Sequence, residues 1–260
     1  MSPIPHIATK SNPFEKHGID HLSASSCNLF AAAPALWCME RLLGLKAPVG
    51  AAAHRGTAIE AGVSNGLLRP WATEDECVDV AEQQFRNLIA FSGDPKQESE
   101  GKAVAPTVRV ALAELRKYGN SVTAQEKIEW RAEGVPVPFI GYVDYRFTTH
   151  QILIDLKTQL RLASEIKTPH ARQVASYAGA YSHNIDARIC YATPQKCAVY
   201  QLENGPAHVA ALSNIGRTIG RFLAKSDDAK ELALLLAPDV DSFYMNDPKT
   251  RQMAFDLWGV

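Results

Sequence analysis

Two neighbouring apolar stretches that end in charged residues constrain this chain more than any other feature. The first ends in Gly141-Tyr-Val-Asp144, and the second is Ile152-Leu-Ile-Asp155-Leu-Lys157-Thr158. Because side chains alternate along a strand, Asp155 and Lys157 share one face, whereas the apolar residues around them share the other. A short turn between the stretches predicts a β-hairpin that brings Asp144 towards Asp155. The pattern therefore predicts two paired strands that carry two carboxylates and a lysine on one face.

This group of charges favours a metal site. Two carboxylates and a lysine on one face of a sheet are costly unless something neutralises them, and a divalent cation does so directly. Hard oxygen ligands suit Mg²⁺ or Mn²⁺. The lysine could then position a water held by the cation, or help to deprotonate it. Asp-x-Lys alone is a weak signal, because solvent-facing charges at strand ends look the same. The apolar flanks and the acid on the partner strand favour the metal site.

Helical and strand patterns alternate along the rest of the chain. Helices are expected at about 23–43, with a break at Pro34, and at about 51–67, 74–91, 106–118, 168–183, 206–237 and 249–257. Strands are expected at 124–132, 137–148, 151–156, 187–192 and 197–201. The order of helices, three strands, a helix, two strands and further helices is typical of an α/β fold.

This order predicts a central mixed β-sheet flanked by helices, with a helical N-terminal part. Residues 1–20 are polar and carry three prolines, so we expect a flexible N-terminal arm there. A single domain is expected over 21–260. Its parts are a helical portion at about 21–120, a core at about 121–202 and C-terminal helices at about 206–260.

Composition and cysteine content exclude several classes of protein. Of the 260 residues, 46% are hydrophobic, which is enough to bury a core. The apolar run Phe30–Met39 is about half as long as a membrane-spanning helix, and no secretory signal is expected at the start. Five cysteines favour free thiols and a cytoplasmic location. No phosphate-binding Gly-x-x-x-x-Gly-Lys-Ser/Thr occurs, so no nucleotide cofactor is expected.

The charge is balanced overall but uneven along the chain. A net charge of −1 excludes a protein that binds nucleic acid by general basic attraction. Residues 102–172 nevertheless hold 11 Lys and Arg against 7 Asp and Glu, whereas residues 226–260 hold 3 against 7. Nucleic acid is therefore expected to bind near the middle of the chain.

Several motifs occur together in one order. The strand pair with Asp144, Asp155 and Lys157 resembles the core of the PD-(D/E)XK nuclease superfamily, and more narrowly its RecB-like and phage-type exonuclease branch. Three further segments are similar to that branch: Arg55-Gly-Thr-Ala-Ile-Glu60, Gln173-Val-Ala-Ser-Tyr177, and the opening Leu22-Ser-Ala-Ser25 with Pro34 and Trp37. Each motif alone is weak, but together they cover about residues 22–201.

The resemblance implies a restriction-endonuclease-like core and a role for each motif residue. Metal ligands would be the carboxylates of Glu60, Asp144 and Asp155 and the carbonyl of Leu156. Lys157 would orient the attacking water or stabilise developing negative charge. Gln173 and Tyr177 would lie near the catalytic centre, where His170 completes a polar stripe at helical spacing. The residues that would contact nucleic acid are Ser23, Ser25, Arg41, Arg55, Arg161 and Arg172. The alternatives are helix caps for the serines and surface charges for the arginines.

The resemblance also implies a function, with alternatives. We expect a Mg²⁺- or Mn²⁺-dependent deoxyribonuclease acting as a DNA exonuclease in phage or bacterial recombination, repair or DNA degradation. A homo-oligomer, a helicase and a single-strand annealing protein are the partners that such a role suggests, in a bacterial or phage-infected cell. No iron–sulfur cluster is expected, because Ala33 precedes Pro34 and no cysteine follows Cys197.

Two other functions stay open at this stage. A structure-specific or nicking endonuclease would have the same motifs. A non-catalytic module that binds DNA or a partner protein is the third hypothesis. The intact set of Glu60, Asp144, Asp155 and Lys157 counts against the module, because a non-catalytic protein has no chemical need for all four.

Overall fold

A computed structural model of the chain describes residues 12–46, 48–181 and 184–259. The helices are α1 (Pro13–Lys16), α2 (Ala24–Ala32), α3 (Pro34–Arg41), α4 (Ala51–Leu68), α5 (Glu74–Ile89), α6 (Gln97–Gly101), α7 (Val104–Leu115), α8 (Thr168–Ala178), α9 (Gly205–Leu223), α10 (Ala229–Leu234) and α11 (Pro248–Trp258). The strands are β1 (Val122–Trp130), β2 (Phe139–Phe147), β3 (Ile152–Thr158), β4 (Asp186–Ala192) and β5 (Cys197–Gln201).

The chain divides into two compact units. We call Ala47–Glu129 with Ile140–Ala211 the sheet unit, and Met1–Lys46, Trp130–Phe139 and Leu212–Val260 the terminal unit. The parts expected from the sequence do not coincide with these units, since the helical portion at 21–120 contributes residues to both. A single domain over 21–260 stays a prediction.

The sheet has the order β1-β2-β3-β4-β5. Strands β2 and β3 are antiparallel, β3 and β4 are parallel, and β4 and β5 are antiparallel. The predicted mixed sheet flanked by helices is therefore confirmed, as is the hairpin of β2 and β3. Tyr145 pairs with Ile154, and Asp144 and Asp155 are the residues next to this pair on the two strands.

The two faces of β3 have opposite characters, as the alternation predicts. Ile154 and Leu156 pack into an apolar core with buried residues of α4, α5 and α7. Asp155 and Lys157 point to the other face, and α8 packs against β3 and β4. The apolar face contributes the burial that stabilises the sheet, which leaves the charged face free for chemistry.

Helices α4 and α5 approach each other closely at a glycine. A Cβ on Gly62 would lie 2.5 Å from the carbonyl oxygen of Cys77 and 2.8 Å from Cβ of Ala81. A capping box fixes the start of α5: the Thr73 side chain accepts a hydrogen bond from the Glu76 backbone N–H, and the Glu76 side chain accepts one from the Thr73 backbone N–H. These contacts hold α4, which carries Glu60, against the rest of the helical layer.

The terminal unit has its own core. Its fully buried aromatic residues include Phe14, Trp37 and Phe139. The Trp37 indole N–H donates a 2.9 Å hydrogen bond to the Ser26 hydroxyl, and that of Trp258 donates to the Ala233 carbonyl at 3.1 Å. Among the described residues, no helix has the length and apolarity needed to cross a membrane.

Several predicted boundaries need correction. The arm expected at 1–20 is wrong for residues 12–20, because α1 buries Phe14 completely, and the rest of it lies outside the described residues. The break at Pro34 is confirmed, since α2 ends at Ala32 and α3 begins at the proline. The helix expected at 206–237 is two helices, with Asp228 capping the second. The helix expected to run to His183 ends at Ala178, and His183 itself lies outside the described residues.

Gly62→Ala should destabilise the protein although alanine is the better helix former. The added Cβ overlaps backbone rather than a flexible side chain, and overpacking of this kind costs about 1–3 kcal/mol against a propensity gain of roughly 1 kcal/mol. Urea denaturation should show a net loss in the free energy of unfolding. Gly205→Ala is the control, because its Cβ would meet only Leu202 at 3.6 Å. Equal effects of the two substitutions would contradict the close approach.

Candidate active site

The structure brings together the four residues expected to carry the chemistry. Glu60 lies on α4, Asp144 on β2, and Asp155 and Lys157 on β3. Asp155 has no exposed surface, and the Lys157 ammonium lies 2.8 Å from its Oδ2. The negative charge of Asp155 acts on both Glu60 and Asp144. Three carboxylates and one ammonium thus share one region of the sheet unit.

The backbone of β3 holds Asp144 in place. Its Oδ2 accepts a 2.8 Å hydrogen bond from the backbone N–H of Leu156. Burial, followed by the negative charge of Asp155, raises the pKa of Asp144 well above its ordinary value. The same two causes, in the same order, raise the pKa of Glu60. Both carboxyls therefore hold their protons more strongly than in water while no cation is bound.

Lys157 stays charged in these surroundings. Burial acts to lower the pKa of the ammonium, but the charges of Asp155 and Asp144 outweigh it, so the pKa is raised. An ammonium with a raised pKa is a permanent donor at neutral pH. It can serve as an electrostatic partner for a phosphate oxygen.

Gln125 belongs to the site although no sequence motif marks it. Its backbone has φ = 53°, a left-handed conformation that is unusual for a residue other than glycine. Its amide Nε2 donates to Glu60 Oε1 and lies 3.4 Å from Asp144 Oδ1. Strand patterning predicts neither a reversed φ nor the side-chain direction that follows from it, and no glycine or asparagine marks the position.

The carboxylate oxygens of Glu60, Asp144 and Asp155 suit a hard divalent cation, although these three side chains are not grouped closely enough to hold one. In the part of the chain that is described, the partner of the buried Asp155 carboxylate is the Lys157 ammonium, 2.8 Å from Oδ2, and its oxygens accept no other hydrogen bond. Such oxygens are the ligands that Mg²⁺ and Mn²⁺ take. Among residues 12–46, 48–181 and 184–259, no three His, Cys, Asp or Glu side chains are grouped closely enough to hold a metal. The Gln125 amide instead bridges Glu60 and Asp144.

Gln173 and Tyr177 of α8 form a hydrogen-bonded pair on which the charges of the acids act. The Gln173 amide donates a 2.6 Å hydrogen bond to the Tyr177 hydroxyl. A Cβ on Gly141 would lie 2.6 Å from the Tyr177 ring, so the glycine of the Gly-Tyr-Val-Asp segment makes room for this side chain. Burial, followed by the charge of Asp155, raises the pKa of Tyr177. The hydroxyl therefore stays protonated.

The prediction that Arg55 contacts nucleic acid needs correction. Its side chain is only 6% exposed and forms a buried ion pair with Glu100. Its Nη2 donates to the Thr158 carbonyl at 3.4 Å. The guanidinium therefore ties α4 to α6 and to the end of β3, and it is not presented to a phosphate.

The other predicted nucleic-acid contacts are spread over both units. Ser23 and Ser25 belong to the terminal unit, and Ser23 caps α2 by accepting from the Ser26 N–H, which is the alternative that the sequence offered. Arg41 is exposed and lines a cavity of about 130 Å³ with Ser23. In the sheet unit, Arg161 is exposed after β3 and Arg172 is partly buried on α8. Contacts of these residues with nucleic acid stay predictions.

Comparison with known proteins supports one assignment. The family model of the PD-(D/E)XK nuclease superfamily matches residues 21–252. No curated protein matches significantly. The crystal structure of a protein called SSO0001 is similar at 14% sequence identity and a TM-score of 0.33, over 62% of this chain and 83% of that one. The assignment therefore rests on the family model.

The chain belongs to the PD-(D/E)XK nuclease superfamily. Its mixed sheet and flanking helices are the restriction-endonuclease-like α/β core of that superfamily, and its activity class is nucleic-acid hydrolysis. The expected superfamily is thus confirmed, and the narrower RecB-like branch stays a prediction.

Asp144→Asn should stabilise the protein when no metal is present. Because the folded pKa of Asp144 is raised, stability falls as pH rises from the unfolded pKa through the folded one, and the loss is complete above it. The asparagine keeps an acceptor for Leu156 without this loss, so we expect a gain of about 1–2 kcal/mol at pH 8 that vanishes near pH 4.

The measurement is chemical denaturation in EDTA across that pH range. Asp79→Asn, at an exposed position on α5, is the control and should change stability by less than about 0.5 kcal/mol. A stability loss for Asp144→Asn at pH 8 would contradict the raised pKa.

The Arg55–Glu100 pair should behave as a structural element. Glu100→Leu leaves a buried guanidinium without its partner and should cost about 3–5 kcal/mol, whereas adding Arg55→Met should restore most of that. Glu98→Gln, in the exposed pair with Lys102, is the control and should change stability far less than Glu100→Leu. Denaturation in urea measures all three. If the double variant were no more stable than Glu100→Leu, the pair would not be the cause.

Proposed function

We propose that this superfamily member is a Mg²⁺- or Mn²⁺-dependent deoxyribonuclease that acts as a DNA exonuclease. The observation that carries the proposal is the buried Asp155 paired with Lys157, with Glu60 and Asp144 in electrostatic range. Burying a carboxylate beside a charged lysine lowers the stability of a fold, so stability does not explain why the chain carries this pair. A role in metal-assisted phosphodiester hydrolysis accounts for both the carboxylate and the lysine.

Glu60, Asp144, Asp155 and the carbonyl of Leu156 are the proposed ligands. When bound, a divalent cation would supply positive charge to the phosphate and would acidify a water molecule. The hydrogen bond from the Leu156 N–H fixes Asp144 from behind, which leaves its second oxygen for a ligand. The Gln125 amide would release Glu60 and Asp144 as the cation arrives.

The side chains of the site have separate tasks in this proposal. Lys157, held charged by its carboxylate neighbours, donates to the attacking water or to the developing negative charge on phosphate. Tyr177 packs against Gly141 of β2 and is held in this position by its hydrogen bond from Gln173. The attack is in line with the leaving ester oxygen, and the chain's groups need only orient and stabilise it.

The finer aspects of the proposal rest on the motif resemblance. They are the choice of DNA as the substrate, cleavage that starts from a DNA end, and a role in phage or bacterial recombination, repair or DNA degradation. The same proposal includes a homo-oligomer, and a helicase or a single-strand annealing protein as a partner. Of the arginines proposed to contact DNA, Arg41 of the terminal unit and Arg161 of the sheet unit are exposed.

Digestion of labelled linear and closed circular DNA tests the proposal. With Mg²⁺ or Mn²⁺, the wild type should degrade only linear DNA, and Lys157→Ala should lower kcat by about 10²–10³-fold because a preorganised charge is lost. Lys102→Ala, at an exposed lysine of the same unit, is the matched control and should keep full activity.

Other outcomes have clear meanings. Cutting of closed circles would replace the exonuclease by an endonuclease. Cutting of RNA alone would mean that the substrate is RNA rather than DNA. No cutting of DNA or RNA with either metal would overturn catalysis and leave a binding module. Activity that survives in Lys157→Ala would move the chemistry away from this site.

A further inference from the structure

His170 is the third polar residue on the active face of α8. It precedes Gln173 by three residues and Tyr177 by seven, so the three side chains lie on one side of the helix. The ring is partly buried, and the charges of Lys157 and Asp155 both act on it. The roles proposed above for the site make no use of this imidazole.

Tyr191 holds the histidine beside the catalytic lysine. Lys157 and Tyr191 are direct partners across the parallel strands β3 and β4, so their side chains lie next to each other on one face of the sheet. The Tyr191 hydroxyl is 2.8 Å from His170 Nδ1 and accepts a 3.1 Å hydrogen bond from the Lys167 N–H. The chain of contacts from Lys157 to Tyr191 to His170 fixes the place of the ring.

The same contacts select the tautomer of His170. Tyr191 is completely buried, and its hydroxyl already accepts from the Lys167 N–H. Within the described residues, the acceptor in reach of its single proton is His170 Nδ1. The tyrosine therefore donates to Nδ1, and the ring proton resides on Nε2. Nε2 makes no hydrogen bond within that part of the chain.

The imidazole is neutral at physiological pH. Burial, with the positive charge of Lys157 adding to it, lowers the pKa of His170 to about 4. A neutral N–H donor beside a permanent ammonium has a physical advantage. It can bond an anionic oxygen without adding a second positive charge that would repel Lys157.

We propose that His170 is a phosphate-contacting residue, whose neutral Nε2–H donates to a non-bridging oxygen of the phosphodiester next to Lys157. The proposal rests on the proposed function and deepens it, because it adds a donor to the same site. Tyr191 is a positioning residue in this scheme, since it acts on the substrate only through the tautomer and orientation of His170.

The first test does not depend on cleavage. The wild type, ¹⁵N-labelled at histidine, is titrated with a short DNA duplex in Ca²⁺, and gels confirm that the duplex stays intact. The spectrum of the free protein should show the Nε2–H tautomer for His170, and DNA should shift its Nε2 resonance. A different tautomer, or no shift at saturating DNA, would overturn the proposal even if the enzyme cuts DNA.

The second test separates contact from packing. His170→Ala should weaken binding of the duplex, and lower kcat/KM where cleavage occurs, by about 10- to 100-fold, as expected for a hydrogen bond to a charged group. His170→Gln carries an amide N–H at similar reach and should restore much of that loss. Equal losses in both variants, accompanied by equal drops in Tm, would assign His170 a structural role.

Tyr191→Phe completes the design. It should leave His170 present but give a mixture of tautomers in the ¹⁵N spectrum, with a smaller loss of affinity than His170→Ala. If Lys157→Ala abolished cleavage while His170→Ala changed neither affinity nor rate, the proposed function would stand and this inference would fail. If the wild type cut nothing, affinity and the ¹⁵N shift would still decide the inference.

Discussion

The buried ion pair between Asp155 and Lys157 is the constraint on which the rest of the structure depends. A carboxylate with no exposed surface, and with no partner besides Lys157 among the described residues, is among the least favourable groups that a sheet can bury. The fold tolerates it because the alternate residues of the same strand, Ile154 and Leu156, enter the apolar core against α4, α5 and α7. Stability thus comes from one face of β3, and the other face carries the residues of the proposed site.

The remaining acids are placed by elements that this core fixes. The pairing of β2 with β3 brings Asp144 next to β3, where the Leu156 N–H holds it. Helix α4 carries Glu60, and the Arg55–Glu100 pair together with the close contact at Gly62 secures that helix. The raised pKa values of Glu60 and Asp144 show that this arrangement opposes stability at neutral pH, as expected for groups retained for function.

Local patterns predicted much of this site, and non-local contacts could not be predicted. Strand alternation placed Asp155 and Lys157 on one face, and a four-residue spacing placed Gln173 and Tyr177 together, because both patterns depend only on backbone geometry. The partner of Arg55 lies 45 residues away and outside every helix and strand expected from the sequence, so the burial of this pair could not be predicted. The left-handed backbone of Gln125 and the burial of Phe14 likewise depend on tertiary packing, which outweighs local preference.

The charge balance explains why the donors around this site are of such different kinds. Three ionised carboxylates and one ammonium leave a deficit of two positive charges, which is the charge of one divalent cation. Until that cation binds, protons on the raised-pKa carboxyls and the amide of Gln125 offset part of the deficit. A further basic side chain in the same place would compete with the cation, which favours neutral donors. The amide of Gln173 and the imidazole of His170 meet this requirement beside the charged Lys157.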